Sequence, residues 1–240
     1  MYGKGSRLLI LLLVALLLAA LGALGILAVR TGWVHRLLVR HGLAVERRAK
    51  GDDYALQGWE ASLESLNCRA DVVFFGDSMA YYTDWGRSYP DVTLCNLGYR
   101  GDTVHGLLKR TGMVRALAPR KVFLLIGGNN MKYRRYAKTL DAGYRSLAAD
   151  LREKCPEASL YMVSILPTRA PYPVESEAIR AQNRRLQALA EELDLTYVDA
   201  HTPLLDEGGE LALAWSRDGV HLSDAGARVL TDALAPYVYG

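Results

Sequence analysis

Four short motifs combine residue types that can perform nucleophilic chemistry on an acyl group. In chain order they are Gly76-Asp77-Ser78, Asn96 to Thr103, Gly127-Gly128-Asn129 and Asp218-Gly219-Val220-His221. Together they contain a hydroxyl nucleophile, donors that can stabilise an oxyanion, and an acid–base pair. Each motif is common by itself, so the indication of this chemistry comes from their combination and their order.

Ser78 is the candidate nucleophile. It follows the predicted strand Asp71–Gly76, and Gly76 permits a tight turn there. Reactive groups in open α/β sheets collect at the carboxyl ends of strands, where a serine can present its hydroxyl. A serine at this place is also a favoured helix N-cap, so the position alone does not separate the two roles. Asp77 is too close in sequence to Ser78 to face the activating base, and we interpret it as structural.

Glycines and an asparagine supply the candidate oxyanion donors. Gly98 and Gly101 follow the second apolar run, and glycines let backbone N–H groups approach a ligand closely. Asn129 follows the third apolar run, where a side-chain amide can donate to an oxyanion. Both motifs also suit ordinary turns, because Gly and Asn are frequent turn residues.

The acid–base pair with the most suitable spacing is Asp218 and His221. A three-residue separation across a turn can place both side chains on one side, so that His221 acts as general base while Asp218 orients its imidazole. The alternative is a loop histidine beside a capping aspartate. His201 also follows a predicted strand and has Asp199 nearby, which makes it the competing histidine.

The segments around these motifs alternate between strand and helix patterns. Apolar runs predict strands at Asp71–Gly76, Val92–Leu97, Lys121–Ile126, Ser159–Leu166 and Leu195–Val198. Helical spacing of apolar residues predicts helices at Thr103–Leu117, Tyr136–Lys154, Ser176–Leu193 and Asp224–Tyr237. This alternation predicts an α/β domain whose parallel sheet is covered on both faces.

The motifs resemble the sequence blocks of the GDSL/SGNH hydrolase family. The resemblance runs from Gly76 to His221, which is nearly the whole predicted domain. It implies a flavodoxin-like three-layer α/β/α sandwich with a central parallel sheet of about five strands. The chain departs from the family pattern at Met79, where the pattern has Leu, and at Asn130, where many members have Asp. Neither departure removes a catalytic group.

The resemblance also implies a role for each site residue. Ser78 is the nucleophile, His221 the base and Asp218 its partner, and on this ground we prefer His221 to the competing histidine. The oxyanion hole consists of the backbone N–H groups of Ser78 and Gly101 and the side-chain amide of Asn129. This chemistry needs no metal ion and no organic cofactor.

A serine esterase acting on small acyl esters is the expected function. The resemblance implies O-acetyl groups of carbohydrates, lysophospholipids or other lipid esters as substrates. Aromatic residues near the motifs can stack on a sugar, line an acyl pocket or pack in the core; these are Tyr81, Tyr82, Trp85 and Trp215. Two rivals remain: an acyltransferase of the same fold that passes the acyl group to a glycan, and a catalytically silent, tethered binding protein.

The N-terminus carries a long apolar segment. Leu8 to Val29 contains no charged residue, and at about 1.5 Å per residue it can cross a hydrocarbon core of about 30 Å. A cleaved signal peptide has a shorter apolar core and a small-residue cleavage site, which Leu27-Ala28-Val29 matches poorly. We therefore expect an uncleaved transmembrane anchor in residues 1–30, a helical juxtamembrane connector in residues 31–67 and the hydrolase domain in residues 68–240.

Charge bears on the partners and on the membrane orientation. The formal net charge is only +3, and basic residues concentrate between Arg30 and Lys50, so we do not expect nucleic acid as a partner. By the positive-inside rule this cluster keeps the domain in the cytoplasm. An apolar segment at the extreme N-terminus followed by one domain is instead typical of an exported, tethered enzyme. We expect a single-pass membrane protein with an extracytoplasmic catalytic domain.

The three cysteines, Cys68, Cys95 and Cys155, have no CxxC spacing, so no zinc ribbon is indicated. Cys95 lies in an apolar run and is expected in the core. Cys68 and Cys155 both precede predicted strands, at the same end of a parallel sheet. A disulfide between them would suit an exported domain.

Overall fold

Within residues 68–133, 137–172 and 174–240, which the computed structural model describes, the apolar runs form a parallel sheet of five strands. The strands are β1 (Val72–Gly76), β2 (Leu94–Gly98), β3 (Lys121–Leu125), β4 (Ser159–Val163) and β5 (Thr196–Val198). Their order is β2-β1-β3-β4-β5, and every neighbouring pair is parallel. This is the flavodoxin-like order, in which ligands bind at the carboxyl ends of β1 and β3. The prediction of a parallel sheet is confirmed.

Helices cover both faces of the sheet. They are α1 (Ser78–Tyr82), α2 (Trp85–Ser88), α3 (Val104–Leu108), α4 (Thr111–Leu117), α5 (Gly128–Lys132), α6 (Leu140–Lys154), α7 (Ser176–Glu192) and α8 (Asp224–Tyr239). In the described part of the chain, 3-10 turns lie at Thr202–Leu204 and Leu213–Trp215. The sequence patterns do not predict α1, α2 and α5, because helices of four or five residues are too short to show a period.

One predicted helix, Thr103–Leu117, is interrupted in the structure. Arg110 leaves the helical backbone conformation (φ −133°, ψ 20°) and separates α3 from α4. The apolar spacing continues across the break, because Val104, Leu107 and Val114 are all buried on the same side of the sheet. The break therefore leaves no trace in the periodicity of the sequence.

The strand side chains alternate between two cores, one on each face of the sheet. In β1, Val73 and Phe75 belong to the core formed with α3, α4, α6 and α7, whereas Val72 and Phe74 belong to the core formed with α1, α2 and α8. All four side chains are buried, and burying a Val or Phe side chain contributes about 1.5–3 kcal/mol. The described domain is thus a three-layer α/β/α arrangement.

The predicted anchor (residues 1–30) and the predicted connector (residues 31–67) lie outside the described residues. In the part of the chain that the structure describes, no helix is long and apolar enough to cross a membrane.

The three cysteines are free thiols, and Cys155 is buried. The disulfide between Cys68 and Cys155, which the sequence left open, is therefore not formed in the structure.

Candidate active site

Ser78 begins helix α1 immediately after β1. Asp77 is the N-cap of this helix, and its Oδ1 accepts the N–H of Met79 at 2.9 Å. The sequence left a helix-capping role open for Ser78, but the structure gives this role to Asp77. Asp77 is therefore structural, as its position in the sequence predicts. The Ser78 hydroxyl faces the loop that contains His221.

The loop before α8 brings Asp218 and His221 to Ser78. His221 Nε2 lies 3.2 Å from Ser78 Oγ, and His221 Nδ1 lies 2.6 Å from Asp218 Oδ2. Asp218 Oδ1 accepts the backbone N–H groups of His221 at 2.7 Å and Val220 at 3.0 Å. Gly219, with φ 85°, permits this tight turn. Because Asp218 holds a proton on Nδ1, Nε2 is the nitrogen that accepts the Ser78 O–H.

Asp218 is suited to remain ionised beside the imidazole. Desolvation raises its pKa, but hydrogen bonds from the His221 ring and from the backbone N–H groups of His221 and Val220 lower it by more, so the pKa lies below its ordinary value. A carboxylate that stays charged at neutral pH stabilises the imidazolium that forms when His221 takes a proton.

The competing histidine, His201, is held in a different environment. It is buried, and its Nδ1 lies 2.9 Å from the backbone oxygen of Ile165. Asp199 accepts the backbone N–H of His201 at 2.9 Å rather than a ring nitrogen. Burial lowers the pKa of His201, although the Ile165 carbonyl and the Asp199 charge raise it in part. Of the two candidate histidines, the structure brings His221 to Ser78.

Asn129 lies in the first turn of α5, at the carboxyl end of β3. Its Nδ2 donates to the backbone oxygen of Asp102 at 2.9 Å and lies 3.4 Å from Asp77 Oδ2. Gly127, just before α5, has φ 129°, which residues with a side chain rarely adopt. The bond to Asp102 fixes the orientation of the Asn129 amide, and an amide carries a second hydrogen that can be donated to an oxyanion.

Gly101 lies in the turn that follows β2. Its φ of 79° is in the left-handed region that favours glycine. The turn is closed by a bond from the Asp102 N–H to the Tyr99 oxygen at 3.2 Å, and the Tyr99 N–H donates to the Gly76 oxygen at 2.9 Å. These bonds hold the Gly101 turn beside the end of β1. Ser78 lies just after that end of β1 in the chain.

A buried arginine that the sequence analysis missed joins these loops. Arg110 Nε and Nη2 lie 3.0 and 2.7 Å from Asp102 Oδ2. Its Nη1 donates to the Leu97 oxygen at 2.6 Å, and Nη2 donates to the Gly76 oxygen at 3.0 Å. The Arg110 and Asp102 side chains are 4% and 0% exposed. One guanidinium therefore connects the ends of β1 and β2 to the Gly101 turn. In the sequence, the signal for this role is a single cationic residue inside an apolar helical pattern.

Asp77 is the second site residue whose environment the sequence did not reveal. Burial raises its pKa to about 7. The N–H of Met79 lowers this pKa, the nearby charge of Asp102 raises it, and the charge of Arg110 lowers it. A carboxyl group that is partly neutral near pH 7 thus lies beside the amide of Asn129.

Asn130 connects α5 to the start of α3. Its Oδ1 accepts the N–H of Val104 at 3.0 Å, and the residue is fully buried. An aspartate, which many family members have at this place, offers the same oxygen acceptor. The departure from the family pattern at Asn130 therefore keeps the contact that links the two loops.

The sequence comparison decides the family of this chain. Residues 74–229 match the GDSL-like Lipase/Acylhydrolase family. The chain belongs to this family. The match contains every site residue described above, from Ser78 to His221. Among functionally curated proteins, none matches the chain by sequence.

Solved structures share the fold of this GDSL-like acylhydrolase. A protein from Streptococcus pneumonia, described as a candidate platelet activating factor, is 23% identical with a TM-score of 0.69 over 88% of this chain and 99% of that chain. A GDSL-like lipase from Bacteroides thetaiotaomicron is 19% identical with a TM-score of 0.62 over 75% and 97%. An acetylxylan esterase from Geobacillus stearothermophilus is 20% identical with a TM-score of 0.59 over 72% and 95%. At these identities the likeness shows a common fold.

In this GDSL-like acylhydrolase, Ser78 lies between two cavities of different size. The narrow pocket has a volume of about 40 Å³, and its lining includes Ile126, Asn129, Ile165, Leu166, Tyr172 and Val220. The wide cleft has a volume of about 520 Å³, and its lining includes Tyr82, Arg87, Arg217, His221, Arg228 and Tyr239. Ser78 therefore has an apolar pocket on one side and a polar cleft on the other.

The aromatic residues near the motifs divide between core and surface. Trp85 is buried, stacks on Phe74 with ring centroids 3.6 Å apart, and donates its Nε1–H to the Ala80 oxygen. Tyr82 is 43% exposed, and its ring meets the His221 ring edge to face at 5.3 Å. Trp85 is thus a core residue, whereas Tyr82 forms part of the wall of the site.

Proposed function

We propose that this GDSL-family hydrolase is a membrane-anchored serine esterase that cleaves small acyl esters, O-acetyl esters foremost, of carbohydrates or lipids. The observation that carries the proposal is the hydrogen-bonded series from Asp218 to His221 to Ser78, with links of 2.6 and 3.2 Å. In such a series the neutral imidazole activates the serine hydroxyl, and the carboxylate orients and stabilises the imidazole. The match to the GDSL-like Lipase/Acylhydrolase family supports an ester as the substrate.

The first half of the reaction forms an acyl-enzyme. Ser78 Oγ attacks the ester carbonyl while His221 Nε2 takes the hydroxyl proton, and Asp218 stabilises the resulting imidazolium. The tetrahedral intermediate then collapses. The bond to the alcohol oxygen breaks, His221 gives its proton to that oxygen, and the acyl group stays on Ser78.

The second half releases the acid. A water molecule takes the place of the alcohol, and His221 removes its proton as the water oxygen attacks the acyl carbon. The intermediate collapses, the proton passes to Ser78 Oγ, and the free acid leaves. The chain returns to its starting state without a metal ion or an organic cofactor.

The oxyanion of both intermediates is stabilised by donors at the ends of three strands. The Asn129 amide is oriented by its bond to the Asp102 oxygen, and the N–H groups of Ser78 and Gly101 complete the hole in this proposal. Removing one such donor typically costs about 10²–10³ in kcat, or about 3–4 kcal/mol of transition-state stabilisation. The fixed turn around Gly101 supports this role, because preorganised donors need no rearrangement during the reaction.

The proposed location is the outer side of a membrane. The uncharged run from Leu8 to Val29 is long enough for one transmembrane helix. An anchored esterase on that side meets envelope glycans and lipids as substrates. The relative from Geobacillus stearothermophilus, an acetylxylan esterase, supports acetylated carbohydrate as one substrate class.

A panel of p-nitrophenyl esters tests the proposed activity. We expect the purified full-length chain to hydrolyse the acetate, and a fluorophosphonate probe to label the wild-type chain but not Ser78→Ala. A folded wild-type chain that neither hydrolyses any ester nor reacts with the probe would identify the protein as a binding module instead.

Hydrolysis and acyl transfer are separated by their products. The enzyme is incubated with an acetyl donor and an excess of an unmodified oligosaccharide, and the products are analysed by mass spectrometry. We expect free acetate and an unchanged oligosaccharide. Acetylated oligosaccharide as the main product would assign the chain as a transferase.

A further inference from the structure

The position of His221 fixes the side of the site on which the leaving alcohol lies. The histidine that takes the serine proton then gives it to the leaving oxygen, which must therefore come within hydrogen-bond distance of Nε2. The carbonyl oxygen instead turns toward the Asn129 amide. His221 lines the wide cleft, Asn129 lines the narrow pocket, and Ser78 lines both. The alcohol therefore extends into the wide cleft, which leaves the narrow pocket on the other side of Ser78 for the acyl chain.

The two cavities fit groups of different size. The narrow pocket, with about 40 Å³ and walls that include Leu166, Tyr172 and Val220, admits an acyl group of a few heavy atoms such as acetyl. The wide cleft, with about 520 Å³, falls within the range of about 300–1,000 Å³ that is usual for small-molecule sites. The geometry thus fits a short acyl group on a bulky alcohol.

The wide cleft is rich in charged side chains whose formal charges cancel. Three arginines and three aspartates line it: Arg87, Arg217, Arg228, Asp84, Asp224 and Asp232. Arg217 is paired with Asp224 at 2.6 Å. Within the described ranges, the Arg87 and Arg228 side chains form no hydrogen bond or ion pair, and both residues are exposed and line the cleft. A cleft with donors, acceptors and no net charge suits a neutral polar ligand better than an anion.

Aromatic rings stand at two places along the same cleft. Tyr82 of α1 is 43% exposed and packs edge to face with His221, and Tyr239 at the end of α8 is 57% exposed. Such side chains offer an apolar face to a ring-shaped ligand and a hydroxyl to its polar edge. A long alkyl chain in this cleft would instead cover charged side chains, and removing them from water is costly.

We propose that the wide cleft binds the leaving alcohol as an uncharged, polyhydroxylated sugar, which makes the substrate an O-acetylated glycan. This inference rests on the esterase function proposed above and selects carbohydrate over lipid as the substrate class. Arg87 and Arg228 donate to the sugar hydroxyls, Asp232 accepts from them, and Tyr82 packs against the sugar ring beside the reacting oxygen.

The test compares three acetyl esters on the full-length chain in detergent micelles. The substrates are an acetylated xylo-oligosaccharide, an acetylated lysophosphatidylcholine and p-nitrophenyl acetate, whose small leaving group needs no arginine in the cleft. The chains are the wild type, the double variant Arg87→Gln/Arg228→Gln and the control Arg185→Gln, which changes an exposed arginine on α7.

We expect the wild type to prefer the acetylated oligosaccharide. The double variant should lose about 10-fold or more in kcat/KM on this substrate, mainly through KM, because charged hydrogen bonds to the alcohol are removed. Its kcat/KM on p-nitrophenyl acetate should stay within about twofold of the wild type, as should that of the control on all substrates.

Three outcomes would overturn the proposal. A higher kcat/KM for the acetylated lysophosphatidylcholine would assign the cleft to a lipid alcohol. An equal loss on the oligosaccharide and on p-nitrophenyl acetate, or no loss on either, would show that the cleft arginines do not bind the alcohol. A wild-type chain inactive on all three substrates and unlabelled by a fluorophosphonate would instead refute the esterase function itself.

Discussion

At the scale of single residues, the amide of Asn129 is oriented before any substrate arrives. Its Nδ2 donates to the Asp102 oxygen at 2.9 Å and, over the longer distance of 3.4 Å, to Asp77 Oδ2. In the proposed mechanism the second, weakly bound hydrogen is donated to the oxyanion instead. A donor that is fixed in this way contributes more to the transition state than to substrate binding. Loss of a transition-state contact lowers kcat, whereas loss of a substrate-binding contact raises KM, so steady-state kinetics separates the two roles.

Asn129→Ala should lower kcat on p-nitrophenyl acetate about 10²–10³-fold with little change in KM, because the donor acts on charge that develops only in the transition state. Arg185→Ala, at an exposed position on α7, serves as the control and should retain near wild-type kcat. A rise in KM with an unchanged kcat would mean that Asn129 binds substrate and does not stabilise an oxyanion.

Asp77 makes the free energy of unfolding decrease as the pH rises, which is opposite to the usual effect of a carboxylate in a folded protein. Its pKa is about 3.9 in an unfolded chain and is raised to about 7 in the fold, chiefly by burial. The folded state therefore favours the neutral carboxyl, so this stabilisation is fully present below the unfolded pKa and is lost as the pH rises through 7.

Between pH 5 and pH 8.5, the wild type should therefore lose more free energy of unfolding than Asp77→Asn does, by on the order of a few kcal/mol. Asparagine keeps an oxygen for the Met79 N–H, so the helix cap is retained. Urea unfolding of both chains at the two pH values measures the difference, and the subtraction removes effects of other groups such as Asp218. Parallel pH profiles for the two chains would contradict this account.

At the scale of elements, the break between α3 and α4 is the feature that assembles the loops of the proposed oxyanion hole. Arg110 turns inward at this break and binds Asp102 together with the Leu97 and Gly76 carbonyls. The apolar spacing predicts one continuous helix over Thr103–Leu117. In such a helix the backbone at Arg110 would not turn at this point. The break depends on partners that are distant in sequence, and local periodicity cannot predict it.

Arg110→Met should destabilise the fold by about 3–5 kcal/mol, because it removes one partner of the buried ion pair with Asp102. Adding Asp102→Asn should recover part of the loss, since the buried carboxylate charge is then removed as well. Arg185→Met on α7 is the matched control, and an exposed substitution of this kind typically costs less than about 0.5 kcal/mol. Urea unfolding measures all three, and an equal effect of Arg110→Met and the control would show that the buried pair does not hold the loops.

The candidate site could be predicted in part because its residues follow recognisable elements. Ser78 and Asn129 come directly after apolar strands, and Asp218 and His221 lie just before a helix with a serine cap at Ser223. The environment of Asp77, by contrast, depends on burial and on charges from other loops, which the local sequence does not contain.

At the scale of the whole molecule, the sheet order gathers the site at one edge. Because the strands are parallel, their carboxyl ends meet, and the loops after β1, β2 and β3 contribute Ser78, Gly101 and Asn129. The order itself could be predicted only through the family resemblance. The strand pattern of the sequence indicates a parallel sheet but contains no information on which strand is central.

The membrane arrangement is a prediction for the whole chain. When intact cells or spheroplasts are treated with protease, the catalytic domain should be digested while an N-terminal fragment stays in the membrane, because the run from Leu8 to Val29 is long enough to span. Lysed cells provide the control for protease access. A domain protected until lysis would place it in the cytoplasm, and a domain recovered without residues 1–30 would show cleavage.

The central claim is that Ser78 is the nucleophile of an esterase, and the most direct measurement is turnover of p-nitrophenyl acetate by Ser78→Ala. Loss of one member of a catalytic unit removes several orders of magnitude, so kcat/KM should fall to about the background rate. Ser146→Ala, an exposed serine on α6, should keep wild-type activity, and circular dichroism should show both variants folded. Near-normal turnover by folded Ser78→Ala would contradict the account.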